Sequence, residues 1–468
     1  MENNENQRIY FGSLEHTLLD RQNDNHEQDE TGIDLDELSE ASDRELTEIQ
    51  LQAKQEQQAL LNEFERREAA RKIAVPTEDL KVRLKLREYG EPTCLFGEGE
   101  SEAEQTEEFY TEGPPQLMFA RRKMAVYSLS KARDRVKSQK KYTEVPLALI
   151  KSSRKSLFDR FRNYTVYSSE YGDLRPLSCI KFSPNQQILA TGSWSGIVKL
   201  WDTKSSQQLN TLKGHNDKIG GISFHPQSTI NLDETAANIA TGSTDNTIKL
   251  WSLESQKPPV GQLVGHMARV VHIDHHPMGS YLASASYDGS WRLWDIESCK
   301  ELCLQEGHSR QVHVVKFQGD GSLLASAGLD GIGRVWDIRT GKSAMTLTGH
   351  MGEIYTVDWS QNGYVIGTGG GDNSVRIYDI RALKQTYSLP AHNSIISQMC
   401  YLKNGVNTST EVLVTSSFDG SIKVWSGVDY KLINTLHGHE GKVMGVDVSS
   451  EYIASCGYDR SFKLYGQS

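Results

Sequence analysis

Residues 323–338, LLASAGLDGIGRVWDI, decide the fold. Small and apolar residues fill the first half, an Asp330-Gly331 pair favours a tight turn, and the second half runs in strand fashion to Trp336-Asp337. The stretch therefore reads as two antiparallel strands joined by a short turn. The same arrangement returns along the chain. An aromatic residue stands at Trp201, Trp251, Trp294, Trp336, Tyr378, Trp425 and Tyr465, at intervals of 50, 43, 42, 42, 47 and 40 residues. Six residues before each come Ser195, Asp245, Asp288, Asp330, Asp372, Asp419 and Asp459, and upstream of the last six lie His215, His266, His308, His350, His392 and His439.

Seven copies of this pattern are the signature of WD repeats, and the physics of one copy explains the ring. A small antiparallel sheet cannot bury both of its faces alone, so the copies pack face to face as blades around a channel, and ring closure protects the sheet edges. His, Asp, Ser or Thr and Trp within a repeat can form a buried hydrogen-bond network, which makes those six histidines and six aspartates structural. The expected fold is all-β: a seven-bladed propeller over 164–468, preceded by a mainly helical, partly disordered arm. The last repeat stops at its third strand, so NYTVYSSEY (163–171) is expected to supply the fourth and join the two ends of the body. Repeat one lacks the Gly-His and has Ser195 in place of Asp; its blade is either merely degenerate, or Trp194 at the turn tip is an exposed contact residue. The insertions 227–238 and 403–410 read as surface loops.

Charge divides the rest of the chain. Residues 1–112 carry 12 Lys+Arg against 30 Asp+Glu, residues 113–163 carry 14 against 3, and residues 164–468 carry 25 against 28. The arm separates into an acidic stretch 1–72, with a helix expected from Asp34 to Lys72; a compact motif 73–98; an acidic linker 99–116; and a basic helical segment 117–163. In that segment Arg121, Arg122, Lys123, Lys131, Arg133, Arg135 and Lys137 alternate with apolar residues. Three readings compete for it: contact with RNA phosphates, docking to an acidic protein surface, and a nuclear import signal.

Several function classes are excluded or disfavoured. No Walker A loop, nucleophile elbow, zinc-protease helix or dinucleotide fingerprint is present, so no catalytic residue is assigned and no enzyme, cofactor or small-molecule substrate is expected. His272, His275 and His276 lie together in HIDHHP (272–277), but they fall on the first strand of a repeat and echo His225-Pro226, so no metal is assigned. Cys94, Cys179, Cys299, Cys303, Cys400 and Cys456 form neither a zinc spacing nor a dense disulfide pattern, and read as reduced structural thiols. No stretch approaches the roughly 18 to 20 apolar residues that span a bilayer, and the N-terminus has no apolar signal core, so a soluble intracellular protein is expected without membrane contact.

The segment VPTEDLKVRLKLREYGEPTCLFGE (75–98) resembles the short splicing-factor motif ahead of the propeller in the WD-repeat subunits of the U4/U6 small nuclear ribonucleoprotein. TGSWSG (191–196), SYDGSWRLWDIES (286–298), GLDGIGRVWDIRTG (328–341) and GHEGKVMGVDVSS (438–450) are similar to repeats of the same family. The resemblance runs over about 73–468. It implies a nuclear, non-catalytic scaffold of the U4/U6·U5 tri-snRNP in pre-mRNA splicing. Implied partners are the subunit that grips the U4/U6 duplex, a cyclophilin-type prolyl isomerase, and the U4/U6 RNAs directly or through proteins. Carried over by position, the partner contacts are Pro76, Leu80, Leu84, Glu88, Tyr89, Pro92, Leu95 and Phe96, with Trp194 as a further candidate. The alternative is a generic WD adaptor, either G-protein β-like or a ubiquitin-ligase substrate receptor; the first favours a clean coiled coil and the second a ligase-docking box, and neither is evident.

Overall fold

A computed structural model describes residues 114–143, 145–254, 258–402 and 411–467. The chain divides into two units, 1–100 and 101–468, and every described residue lies in the second. The candidate contacts Pro76 to Phe96, the expected helix from Asp34 to Lys72, and the loop 403–410 lie outside the described residues. The described part of the second unit holds two helices, α1 (Pro115–Thr143) and α2 (Leu147–Arg162), and 28 strands in seven four-stranded antiparallel sheets.

Each sheet is one blade, and in six of them the four strands follow one another in sequence. The seventh is built differently. Its strands Val443–Val448, Ile453–Gly457 and Ser461–Gln467 are joined at the outer edge by Tyr164–Tyr171, which pairs from Tyr164 opposite Gln467 to Tyr171 opposite Ser461. The first and last strands of the propeller are thus hydrogen-bonded neighbours, as the sequence leads one to expect.

Burial follows from the blade geometry. The second strand of a blade is pressed by neighbouring blades from either side: IATGS (Ile239–Ser243), YLASAS (Tyr281–Ser286) and VLVTSS (Val412–Ser417) are buried along their whole length. Fully buried strands do not need polar alternation, and their small residues let adjacent blades approach. Next to the channel, neighbouring blades are stitched by side chains on the innermost strands. Asp447 accepts from the Phe182 amide at 2.8 Å and pairs with Lys181 at 3.0 Å; Asp274 does the same for the Phe317 amide at 2.9 Å and Lys316 at 2.6 Å. Asp358 accepts from the Tyr401 amide at 2.7 Å.

The tetrads are built as the residue types require. In blade 2, Trp251 Nε1 donates to Thr241 Oγ1 (2.7 Å), that hydroxyl meets His215 Nε2 (2.8 Å), and His215 Nδ1 meets Asp245 (2.8 Å). One protonation pattern serves every link: the hydroxyl donates to Nε2 and a neutral imidazole donates from Nδ1 to the carboxylate. The His–Asp contact recurs at 2.7–2.9 Å in His266–Asp288, His308–Asp330, His350–Asp372, His392–Asp419 and His439–Asp459. In blade 5, Tyr378 has no indole to donate and its hydroxyl bonds Thr348 O instead, at 3.0 Å.

Blade 1 is not simply degenerate. Asp173, in the loop entering the blade, receives hydrogen bonds from the hydroxyls of both Ser193 and Ser195, and its carboxylate lies 3.7 Å from Lys199 Nζ. The acid and its partner have exchanged places: the carboxylate comes from the incoming loop, where other blades put histidine, and the turn supplies a hydroxyl, where others put aspartate. Those two hydroxyls hold the Asp173 carboxyl below the usual carboxylate range against an opposing effect of burial. Replacing Asp173 with Ala should lower stability by about 1–3 kcal/mol, because the buried Ser193 hydroxyl, the half-buried Ser195 hydroxyl and Lys199 lose the carboxylate they share. Equilibrium urea denaturation checks this, and an unchanged midpoint would make Asp173 dispensable.

Candidate docking surface

The basic segment forms helix from Pro115, a position where a missing amide costs nothing, and runs without glycine or internal proline to Thr143. One face of α1 belongs to the propeller. Leu117, Ala120 and Met124 are buried among Trp291, Leu293, Leu302, Cys303, Trp336 and Ile338 of blades 3 and 4. Tyr127 Oη donates to Pro277 O at 3.0 Å. Further along, Arg135 Nε bonds both carboxylate oxygens of Asp320 (2.8 and 3.1 Å) and Nη1 bonds Asn362 O at 2.6 Å, while its guanidinium lies 4.3 Å from the Tyr364 ring centre. Pro277, Asp320 and Asn362 occupy the first inter-strand loops of blades 3, 4 and 5, so α1 lies across one end of the propeller, the end away from the His–Asp turns. Gly363, at φ +76°, gives Arg135 room: a Cβ there would come within 2.9 Å of the guanidinium carbon.

Helix α2 continues across the same end toward blades 6 and 7. Phe161 is fully buried with Tyr164, Leu402, Val412 and Leu436, and the Asn434 side-chain amide donates to the Phe161 and Arg162 carbonyls at 3.0 and 3.1 Å. Arg154 pairs with Asp429 and bonds Ser426 Oγ at 2.9 Å. The chain then enters the closing strand, where Tyr164 Oη donates to Glu451 O at 2.6 Å.

These contacts place the described candidate residues in different surroundings. Arg135 is engaged inside the protein by Asp320, because its position on the helix is the one turned toward blade 4. Arg121 is half-buried against Gly341, where a Cβ would come within 2.3 Å of its guanidinium. Arg122, Lys123, Lys131, Arg133 and Lys137 are exposed, with Lys131 5.6 Å from the Tyr127 ring centre. Trp194 is half-buried, not a fully exposed contact: it stands edge-on to Tyr458 at 5.7 Å, and Lys218 lies 4.6 Å over its ring. Sequence reasoning missed Asp173 and the intramolecular role of Arg135. The signal for Asp173 was local, a carboxylate in the loop where a histidine was missing, whereas nothing in the sequence linked Arg135 to Asp320, 185 residues away.

Two of the three clustered histidines are held by hydrogen bonds, whereas His272 Nδ1 is buried without a hydrogen-bond partner among the described residues. His275 Nδ1 lies 2.9 Å from Ser223 Oγ, and His276 Nε2 lies 2.9 Å from Gly321 O. Among the described residues no three His, Cys, Asp or Glu side chains are placed to hold a metal ion, and no described helix is long and apolar enough to cross a membrane.

Removing Arg135 should release the C-terminal half of α1 without opening the ring. Arg135→Ala leaves Asp320 largely buried and unpaired, a loss of about 3 kcal/mol from helix docking. Hydrogen exchange should rise at 130–143 and stay unchanged in the blade strands. Equal protection in both chains would refute the anchoring role.

Comparison with known families agrees with this architecture. The family described as "WD domain, G-beta repeat" matches at 167–202, 206–252, 257–295, 299–337, 341–379, 383–426 and 430–466, more than half of the chain. The first match begins on the closing strand, because a repeat in sequence is offset by one strand from a blade in space. A second family, "pre-mRNA processing factor 4 (PRP4) like", matches residues 82–103. The protein named U4/U6 small nuclear ribonucleoprotein Prp4 from Bos taurus is 39% identical over 267 residues, 49% of this chain and 51% of that one. Its Homo sapiens counterpart is 39% identical over 265 residues, 48% and 50% of the two chains, and the Saccharomyces cerevisiae PRP4 is 32% identical over 210 residues, 44% of each. The chain thus spans about half the length of the curated relatives it matches. With seven matched repeats closed into a ring, the chain belongs to the WD-domain, G-beta repeat family, and its segment 82–103 is similar to the PRP4-like family.

Proposed function

We propose that this protein is a nuclear, non-catalytic scaffold subunit of the U4/U6 and U4/U6·U5 small nuclear ribonucleoproteins, acting in pre-mRNA splicing by holding partner proteins and U4/U6 RNA together. The observation that carries this reading is the pairing of a PRP4-like segment at 82–103 with a WD propeller whose relatives bear U4/U6 ribonucleoprotein names. A generic WD adaptor accounts for the propeller but not for that segment. On this reading Pro76, Leu80, Leu84, Glu88, Tyr89, Pro92, Leu95 and Phe96 engage partner proteins, including the subunit that grips the U4/U6 duplex and a cyclophilin-type isomerase. Trp194, only partly covered, is a secondary contact.

Direct contact with RNA is a second reading, favoured by the five exposed cations Arg122, Lys123, Lys131, Arg133 and Lys137. Phosphate contacts release counterions, so such binding falls steeply with salt. The deciding experiment is affinity purification from nuclear extract with the intact chain and with Leu95→Ala/Phe96→Ala, followed by sequencing of bound RNA. Enrichment of U4 and U6 RNA with the intact chain, reduced in the variant, is the expected result. Absence of small nuclear RNA from both would leave a WD propeller without a splicing role.

A further inference from the structure

Helix α1 has a second face, and the propeller does not use it. Opposite Leu117, Met124 and Arg135, the positions 119, 122, 126, 129, 133, 136 and 140 fall in alternating steps of three and four residues, the spacing that keeps one seam facing a partner helix. They are Phe119, Arg122, Val126, Leu129, Arg133, Val136 and Lys140. Met118, Phe119, Val126 and Leu129 are between 59% and 68% exposed. Large apolar side chains this open along one line of a docked helix mark an interaction surface more than a solvated one.

The charges beside the seam select the occupant. Arg122, Lys123, Lys131, Arg133, Lys137, Lys140 and Lys141 are all exposed, and Asp134 is the single acidic residue of the helix. A second copy of this face would set cations against cations, which excludes self-pairing. An RNA backbone would neutralise the cations but leave Phe119, Val126 and Leu129 in water. We propose that the outward face of α1 docks an acidic amphipathic helix of a partner protein, with apolar residues against Phe119, Val126, Leu129 and Val136 and carboxylates against Arg122, Arg133 and Lys140. Cations within a seam cost stability and in return fix register and partner choice. The inference rests on the helix itself and goes beyond the ribonucleoprotein assignment, so either can fail without the other.

The test uses the full chain and a synthetic helical peptide of about four heptads. The peptide carries Leu at the positions facing the four apolar seam residues and Glu at those facing the three cations; a shuffled peptide of the same composition and oligouridine serve as competing probes. By fluorescence anisotropy the helical peptide should bind, the shuffled one should not, and Val126→Ser/Leu129→Ser should weaken binding by roughly tenfold or more. These side chains face solvent, so the melting temperature of the variant should match the parent and a loss of binding cannot be assigned to misfolding. Equal affinity for both peptides would reduce the face to a plain cationic surface and overturn the proposal. So would failure of the helical peptide alongside oligouridine binding that ignores Val126→Ser/Leu129→Ser, self-association of the chain through this face, or peptide binding that appears only after Glu102, Glu104, Glu107 and Glu108 are changed to Gln.

Discussion

A chain that begins at residue 177 should lose about 10 °C or more in melting temperature, or fail to fold, whereas one that begins at residue 164 should melt as a single cooperative unit. The difference between them is the strand Tyr164–Tyr171 and the turn after it. Without that strand, Ser461–Gln467 becomes an open outer edge with its backbone groups unpaired, and the first and last repeats lose the hydrogen bonds that connect them. Tyr164 also leaves the core it shares with Phe161 and Tyr465, and Ser193 and Ser195 lose the Asp173 carboxylate to which both donate. Losing a paired strand, one buried aromatic and one buried acceptor costs about 5 kcal/mol or more, at roughly 2 to 4 °C per kcal/mol in a domain of this size. A third chain beginning at residue 114 separates the helices from the strand: its margin over the residue-164 chain reports the docking of α1 and α2. If the chains beginning at 164 and 177 melt together, ring closure contributes nothing measurable.

The repeat was legible because its marks are local. Asp330 and Trp336 are six residues apart in one hairpin, and the type of each residue states its role in the tetrad. The closing strand was legible for a different reason: the last repeat ran out one strand short, and a strand-like stretch stood before the first. Blade 1 was misjudged because its network uses the same chemical parts in exchanged positions, so a pattern that looks for Asp in the turn finds Ser195 and records a gap. The docking of α1 was the least legible feature. Its residue types show basic and apolar groups all round, and only the fold reveals that Arg135 and Met124 face blades while Arg133 and Val126 face solvent. Charge composition located the surface, and the propeller divided it into an internal and an external half.

Acid should destabilise the propeller well before the ordinary carboxylate range, because histidines are held neutral in its interior. Burial pushes His275 down to about 3, with His225 nearby acting in the same direction and Asp274 against it. His272 is likewise pushed down to about 3 by burial and by Lys316, and His313 to about 4, chiefly by burial. Each of these folded-state values lies below the unfolded value of about 6.5, so the stabilisation is complete above pH 6.5 and drains away as pH falls, when only the unfolded chain takes up protons. From pH 6.5 to 5 the loss is about 2 kcal/mol for His275, which is buried and bonded to Ser223. His272 and His313 are only half-buried, unlike His275, so each contributes less and the three together about 4 kcal/mol. The tetrads add to this with the same sign. His215, His350 and His392 are lowered by burial against the pull of Asp245, Asp372 and Asp419, so their share drains away as pH falls below about 6.5; the carboxyls of those three aspartates stay low through hydrogen bonds against burial, and the carboxyl share is lost only below about pH 4. Glu411 works in the opposite direction, since burial raises its carboxyl, but it is one group against many. The melting temperature at constant ionic strength should therefore be flat from pH 8 to 7 and fall by about 10 °C by pH 5. His275→Gln should flatten that fall while lowering the plateau, because an amide can still meet Ser223 but cannot take up the proton. A melting temperature that stays level from pH 7 to 5 would mean that these rings ionise as freely in the folded propeller as in the unfolded chain.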